Sequence, residues 1–295
     1  MTDPRLRLAV QKSGRLADGT MELLAKSGLT MSRGRDRLYA RVRELSIDVL
    51  FVRDDDIPAL VADGVCDVGV VGENVLEEHR LSDADDGEPV VERRLGFSRC
   101  RLMLAIEKGV AYVGPQDLAG KRVATSYPGL LDAFFKARGV EADVVLLNGA
   151  VEVAPRMGFA DAVCDIVSTG GTLDANGLRP VDTVFESEAV LIRRPLAFEG
   201  EREEIYRSLL MRVDGVSQSR DAKYVMMNAP RSALPAITKL LPGADAPTVL
   251  ELAGDPDRVA VHAVCPERVF WPTLEKLKAA GASAILVLSI EKMML

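Results

Sequence analysis

The chain has 295 residues, 48% of them hydrophobic and 27% charged, with a formal net charge of −7. That length allows about two domains with substantial cores. The acidic balance argues against a nucleic-acid-binding surface, which announces itself as a basic patch, so an anionic ligand must be met by local Arg, Lys, metal or backbone N–H groups.

The four cysteines, Cys66, Cys100, Cys164 and Cys265, form no C-x-x-C pair and read as reduced thiols. His79 and His262 are the two histidines and stand in unrelated contexts, which nearly excludes a histidine triad or a zinc site. The start, "MTDPRLRLAVQKSGRL", has no apolar export segment, and no window is apolar enough for a membrane span. A cytoplasmic protein with no membrane or nucleic-acid partner is the expectation.

In chain order, Leu6–Val10 predicts a strand that turns through "QKSGR" into a helix over Leu16–Lys26, stopped by Gly28. Ile47–Val52 predicts the next strand, and "RDDDIPALVADG" a helix opened by aspartates and closed by Gly64. Cys66–Gly72 is a third strand with a glycine exit into "ENVLEE". "SDADDGEP", Ser82–Pro89, is polar and reads as a surface loop. A second set begins near Gly109: strand and turn over Lys121–Pro128, helix "GLLDAFFKARG", strand "ADVVLLNG", helix "AVEVAPRMGFAD" and strand "DAVCDIV". Strand, turn and helix in repetition predict a largely parallel sheet with helical crossovers. Two α/β lobes are expected, the second inserted in the first: residues 1–105 with 186–222, and 106–185. Arg101–Glu107 and Ser187–Arg194 are the candidate crossing strands.

Residues 199–221 predict a long helix with Ile205, Leu209, Val213 and Val216 on one stripe. From residue 223 the order becomes strand, helix, strand, strand, helix, strand, a ferredoxin-like βαββαβ plait. Phe270 and Trp271, on its last helix, are expected in the core.

One stretch carries chemistry. "DIVSTGGTL", Asp165–Leu173, ends an apolar strand in five small or hydroxylated residues. Glycines there let the backbone approach an anion, successive N–H groups form a concave nest, and a helix start adds a positive end. A phosphate cradle and a tight turn capped by threonines both fit that composition. Other phosphate motifs fail: no G-x-G-x-x-G occurs, and "GPQDLAGKR" has one residue too many between its glycines and Arg where Ser or Thr belongs.

An acidic residue, two apolar residues and Ser-Thr-Gly-Gly-Thr resemble the loop by which phosphoribosyltransferases hold the 5-phosphate of phosphoribosyl pyrophosphate. The common loop has two adjacent acids, whereas Asp165 stands alone here. The wider sequence resembles the ATP phosphoribosyltransferases of histidine biosynthesis in their long, self-regulated form. That resemblance runs through "LAVQKSGRL", "VRDDDIP", "GVVGENVLEE", "RVATSYP", "NGAVEVAPRMGFADAVCDIVSTGGTLDANGLR", "LPGADAPTVLELAGDPDRVAVHAV" and "EKLKAAGASAILVLSIEKMM". It implies an α/β fold: a two-lobed catalytic part of the periplasmic-binding-protein-like type II build, with a ferredoxin-like regulatory domain over 223–295.

The family reaction joins N1 of the adenine of ATP to C1 of phosphoribosyl pyrophosphate and releases pyrophosphate. Adenine N1 keeps its lone pair at neutral pH, so no strong base is needed, and orientation and charge stabilisation carry the rate. Mg²⁺ suits the two anionic substrates. The resemblance implies that Ser168, Thr169, Gly170, Gly171 and Thr172 hold the phosphate. Asp165 is a candidate for the ribose hydroxyls or, through water, the metal; a strand-end carboxylate bonding its own loop is the alternative.

Lys12, Gly14 and Arg15 sit on the first strand-to-helix turn, where two cations match pyrophosphate or nucleotide phosphates. Glu73, Asn74, Thr125, Ser126 and Tyr127 leave strand ends toward the cleft, with Tyr127 a candidate to flank adenine and Glu152 and Arg156 candidate ribose or phosphate ligands. Asp54, Asp55 and Asp56 read as helix caps more simply than as a metal site, with Arg53 a possible cleft cation. The plait is expected to bind histidine as inhibitor, with Thr248 and Ser283 as candidate contacts, and a homo-oligomer from dimer to hexamer is expected. A non-catalytic two-lobed receptor with an amino-acid-sensing terminal domain, and a phosphoribosyltransferase for another acceptor base, are the rival readings.

Overall fold

A computed structural model describes residues 5–33, 38–82, 88–167, 170–241 and 246–294. The loop expected over 82–89 falls largely, at 83–87, outside the described residues. Two compact units emerge: Met1–Ala25 with Leu29–Arg207, and Lys26–Gly28 with Ser208–Leu295.

The first unit opens with β1 (Leu6–Gln11), α1 (Arg15–Lys26), β2 (Met31–Arg33), β3 (Tyr39–Val42) and β4 (Ile47–Val52). It continues with α2 (Ile57–Ala62), β5 (Val68–Gly72), α3 (Glu73–Ser82), β6 (Val90–Arg94) and β7 (Cys100–Glu107). Then come β8 (Arg122–Thr125), α4 (Pro128–Lys136), β9 (Asp143–Leu146), β10 (Ala162–Val167), α5 (Gly171–Ala175), β11 (Leu178–Ser187) and β12 (Ala189–Arg193). Its central strands are apolar on both faces: Leu6, Leu8, Ala9 and Val10 of β1 are all at most 1% exposed, as a strand covered on both sides requires. In α1, Ala17, Thr20 and Leu24 fall on one buried face, and the helix stops before Gly28, whose φ of +70° suits glycine.

Two sheets result. Seven strands run β2-β3-β4-β1-β5-β12-β6, and five run β11-β7-β10-β8-β9. Neither is largely parallel. Among the described residues only β4-β1-β5 and β10-β8-β9 are parallel sets, and the remaining pairs are antiparallel. The chain crosses between sheets twice, and each crossing delivers a strand that runs against its new neighbours.

The crossings are not strands. Residues 95–99 lead from β6 to β7, and Glu188 alone separates β11 from β12. All of β7 therefore pairs in the five-stranded sheet, including residues 100–105, which the sequence assigned to the first lobe. The helix expected over 150–161 reduces to a 3-10 turn at Val151–Val153. Ala150 is left-handed there (φ 52°), Pro155 has no amide hydrogen, and Gly158 has φ +69°.

The aspartates also depart from expectation. Asp54–Asp56 form a 3-10 turn before α2, and no side chain caps either element. Asp56 is already helical (φ −83°, ψ −18°), whereas a side-chain cap needs extended backbone.

The unit boundary falls within α6 (Glu201–Ser219), where Ile205, Leu209, Val213 and Val216 are buried as the stripe predicted. The second unit holds β13 (Ala222–Pro230), α7 (Leu234–Leu240), β14 (Thr248–Leu252), β15 (Asp255–Pro266), α8 (Glu267–Ala279) and β16 (Ser283–Ser289). The sheet order β14-β15-β13-β16 with all pairs antiparallel is the ferredoxin-like plait. Val225, Met227, Val259, Val261 and Ala263 form its buried face with Ile237 and Leu277 of the helices.

Trp271 is not in the core. It is 70% exposed, because Thr273 and Leu277 face the sheet and residue 271 lies on the opposite side of α8. The Phe270 side chain lies outside the described residues. All four cysteines are free, with Cys66, Cys164 and Cys265 buried. Among the described residues no helix is long and apolar enough to cross a membrane.

Candidate active site

β8 and β10 are parallel neighbours, in register from Ala162 beside Val123 to Cys164 beside Thr125. Their C-terminal ends carry two of the candidate turns. After β10, Ser168 and Thr169 lie outside the described residues. Gly170 is left-handed (φ +81°), a conformation that glycine adopts without steric cost. A Cβ added at Gly171 would meet nothing within 4 Å, and Gly171 and Thr172 are exposed. Buried Leu173 pins the loop to the core beneath Val163 and Val167. The first helical bond runs from Asp174 N to Gly170 O. The amides of Gly171, Thr172 and Leu173 therefore have no acceptor within the helix.

Asp165 lies on β10 just before this loop, and its Oδ1 accepts the Ile166 amide at 2.7 Å. Burial raises its pKa, the Ile166 bond opposes that, and the nearby Glu152 carboxylate adds to the rise. Glu152 arrives on the 3-10 turn at Val151–Val153. The fold thus brings a second acid to Asp165 from another element, although the sequence leaves it single. Arg156 is exposed on the same connection.

In the seven-stranded sheet, β1 ends at Gln11 and α1 starts at Arg15. Gly14 has φ +100°, so the turn depends on glycine. Lys12 and Arg15 are exposed, and although the Lys12 backbone amide donates to the Val52 carbonyl at 2.9 Å, neither side chain forms a hydrogen bond or ion pair among the described residues. Arg15 is near enough to Cys100 to counter the burial that raises that thiol's pKa.

The other candidates are already engaged. Thr125 is fully buried, and its Oγ1 accepts the Tyr127 amide at 3.0 Å. Ser126 Oγ donates to the Leu147 carbonyl at 2.7 Å. Tyr127 packs its ring against the cores of both sheets, and Asn74 Nδ2 donates to its hydroxyl at 2.9 Å. Glu73 is buried and holds the Arg94 guanidinium through both carboxylate oxygens.

A cavity of about 370 Å³ opens where the chain crosses between the sheets, lined by Glu73, Arg94, Arg99, Arg101, Val167 and Glu188 among others. Arg99 stands 3.6 Å and Arg94 3.9 Å from Glu188. Arg101 is paired across the strands with Val167, the last residue before the glycine loop. These arginines were missed in the sequence, where "RRLGFSRCR" offers their density as the available signal. Among the described residues no group of three His, Cys, Asp or Glu could enclose a metal.

Thr248 opens edge strand β14, and Ser283 opens the opposite edge strand β16, where Arg258 Nη2 reaches its Oγ at 2.5 Å. The plait does not bring these two together within one chain.

The architecture defines a class first: a two-lobed α/β protein of the periplasmic-binding-protein-like type II build, with a ferredoxin-like terminal domain. The family model of ATP phosphoribosyltransferase, HisG, matches residues 53–215, and that of the HisG C-terminal domain matches residues 219–292. The chain belongs to the ATP phosphoribosyltransferase family, in the long form that carries the C-terminal domain. It is a pentosyltransferase of histidine biosynthesis, moving the phosphoribosyl group of phosphoribosyl pyrophosphate to ATP with release of pyrophosphate.

Among solved structures, the ATP phosphoribosyl transferase (HisG:HisZ) complex from Thermotoga maritima is similar at 28% identity and a TM-score of 0.59, covering 71% of this chain and 96% of that one. The BvgS periplasmic VFT2 domain of Bordetella pertussis is similar at 17% identity and a TM-score of 0.44, covering 70% and 87%. The aliphatic sulphonate binding protein SsuA of Escherichia coli is similar at 15% identity and 0.45, covering 72% and 68%. Family membership is consistent with a divalent metal requirement.

Proposed function

We propose that the loop after β10 receives the 5-phosphate of phosphoribosyl pyrophosphate, with Ser168, Thr169, Gly170, Gly171 and Thr172 as its donors. The supporting observation is that the Gly171 and Thr172 amides lack a helical acceptor, on exposed residues that follow the strand carrying Asp165. Asp165 and Glu152 then take the ribose hydroxyls. Lys12 and Arg15, whose exposed side chains make no bond among the described residues, meet the phosphates of ATP or the departing pyrophosphate. Gly14 shapes their turn. Glu73 enters this reading through Arg94, which it holds at the crossover cavity, and Thr125, Ser126 and Tyr127 build the turn beneath the acceptor.

Adenine N1 of ATP is the attacking atom, and it needs no general base. Half-buried acids and bare amides can instead stabilise a developing sugar cation and a fixed phosphate. Mg²⁺ is the metal of this reading. Two carboxylates, Asp165 and Glu152, match an ion held largely by phosphate oxygens and water rather than by a protein cage. When bound, it neutralises pyrophosphate charge.

Histidine inhibits from the plait, by preferring the less active of two global states. Thr248 and Ser283 are candidate contacts, each on its own edge of the sheet. The protein is cytoplasmic and a homo-oligomer, and its catalytic lobes divide near the sheet crossings. The test is pyrophosphate release from ATP and phosphoribosyl pyrophosphate with Mg²⁺. It should be strong with ATP, weak with free bases or other nucleotides, and suppressed by histidine. Equal release with another acceptor would refute the assignment of adenine N1.

A further inference from the structure

α4 starts on Pro128, which has no amide hydrogen, and its N-cap residue Tyr127 makes no side-chain capping bond. The first two free amides find a partner elsewhere. Gly129 N donates to Glu78 Oε1 at 2.7 Å, and Leu130 N donates to Glu78 Oε2 at 2.9 Å. Glu78 belongs to α3, which follows β5 of the seven-stranded sheet, whereas α4 follows β8 of the five-stranded one. The cap of one sheet's helix is therefore supplied by the other sheet's helix. An ionised carboxylate accepting two N–H groups at a positive helix end is among the stronger caps available.

Gly129 makes this approach possible. A Cβ there would stand 2.9 Å from Leu81 Cβ and 3.1 Å from Glu78 Oε1, so a larger residue must push α3 and α4 apart. One turn earlier on α3, Asn74 extends the same seam. Its Nδ2 donates to Tyr127, its Oδ1 accepts Ser187 Oγ at 2.7 Å, and its amide donates to Ser187 Oγ at 3.0 Å. The Tyr127 ring packs against the buried clusters of both sheets. The two sheets are thus bolted along one side of the cleft by a carboxylate, a glycine contact and a shared aromatic.

We infer that Glu78 is a positioning residue for phosphoribosyl transfer. By capping α4 from the opposite sheet it fixes the spacing of the sheets, and so the distance between the Lys12–Arg15 turn and the Gly170–Thr172 loop. Among the described residues, Glu78 makes no hydrogen bond or ion pair with either loop, its carboxylate bonding Gly129 and Leu130. This rests on the reading that the two substrates are held at those loops. A reaction that uses alignment in place of a strong base is sensitive to such spacing, since a misplacement of about 1 Å can cost about 100-fold in rate. Each half-site lies within one sheet, so each substrate should still bind when the bolt is loosened.

The test compares Glu78→Ala, Glu78→Gln and Gly129→Ala in the full chain, by steady-state kinetics, binding of phosphoribosyl pyrophosphate alone, and amide hydrogen exchange. Glu78→Ala is expected to expose the Gly129 and Leu130 amides to exchange and to lower kcat by about 10- to 100-fold, with phosphoribosyl pyrophosphate affinity essentially unchanged. Glu78→Gln keeps one acceptor oxygen and should fall between. Gly129→Ala keeps the carboxylate but forces the helices apart, and should lower kcat in the same way. Wild-type kcat in folded Glu78→Ala, or in Gly129→Ala should the first not fold, would overturn the inference. So would unchanged exchange at 129 and 130, or a loss of donor affinity as large as the loss of kcat. Failure of the underlying site reading shows separately, as retained donor affinity in Gly171→Val.

Discussion

The turn after β8 and the loop after β10 leave adjacent parallel strands at the same end of one sheet, and both are built from small and hydroxylated residues. They differ in what their polar groups already do. At Thr125-Ser126-Tyr127 every hydroxyl has an internal partner: an amide, a carbonyl and the Asn74 side chain. At Gly171 and Thr172 the backbone amides precede the first helical bond and belong to exposed residues. A turn whose polar groups are already paired within the chain is a joint, and one whose helix-start amides are open to a ligand is a socket. Composition alone does not separate the two.

The largest effect that would break this contrast is on the socket. Gly171→Val should lower phosphoribosyl pyrophosphate affinity by about 100-fold or more, the worth of roughly two hydrogen bonds to a charged group. Because a Cβ there meets nothing within 4 Å, the melting temperature should stay near wild type. Calorimetric titration beside a thermal melt checks both, and retained affinity in a folded variant would remove the socket.

Asp165 sharpens the contrast through stability. Its folded-state pKa is raised by burial and by Glu152, so the native protein holds that proton more tightly than the unfolded chain. Stability from this group is therefore present below the ordinary carboxylate pKa and is lost as pH rises through the folded value. Asp165→Asn should raise the melting temperature at pH 7 while turnover falls, and the gain should vanish in acid where both states are protonated. A variant that melts lower at pH 7 would mean that the carboxylate is structural.

The smallest effect belongs to the joint. Ser126→Ala removes the bond to Leu147 O and should cost about 1 kcal/mol in denaturant unfolding, with the KM for both substrates unchanged. A raised KM for ATP with unaltered stability would return Ser126 to the list of substrate contacts.

Much of the fold was legible. Apolar runs with glycine stops located β1, β5, β8, β10 and their helices, and the plait was readable because its alternation is clean, as in β15. Strand direction was not legible, since it depends on where the chain crosses between sheets, at 95–99 and at Glu188. β11 was hidden by two register shifts, between Pro180 and Asp182 and between Thr183 and Phe185, which disturb the period of two. Of the site, the glycine loop and the Lys12–Arg15 turn could be read from residue type. The pairing of Glu73 with Arg94, the approach of Glu152 to Asp165 and the capping of α4 by Glu78 join residues distant in sequence, and no local pattern announces them.

The most direct measurement is a crystal of the full chain soaked with phosphoribosyl pyrophosphate and Mg²⁺. The sugar's 5-phosphate should lie about 3 Å from the Gly171 and Thr172 amides, with its ribose hydroxyls toward Asp165. A 5-phosphate seated instead among Arg94, Arg99 and Arg101, with the loop empty, would contradict the account.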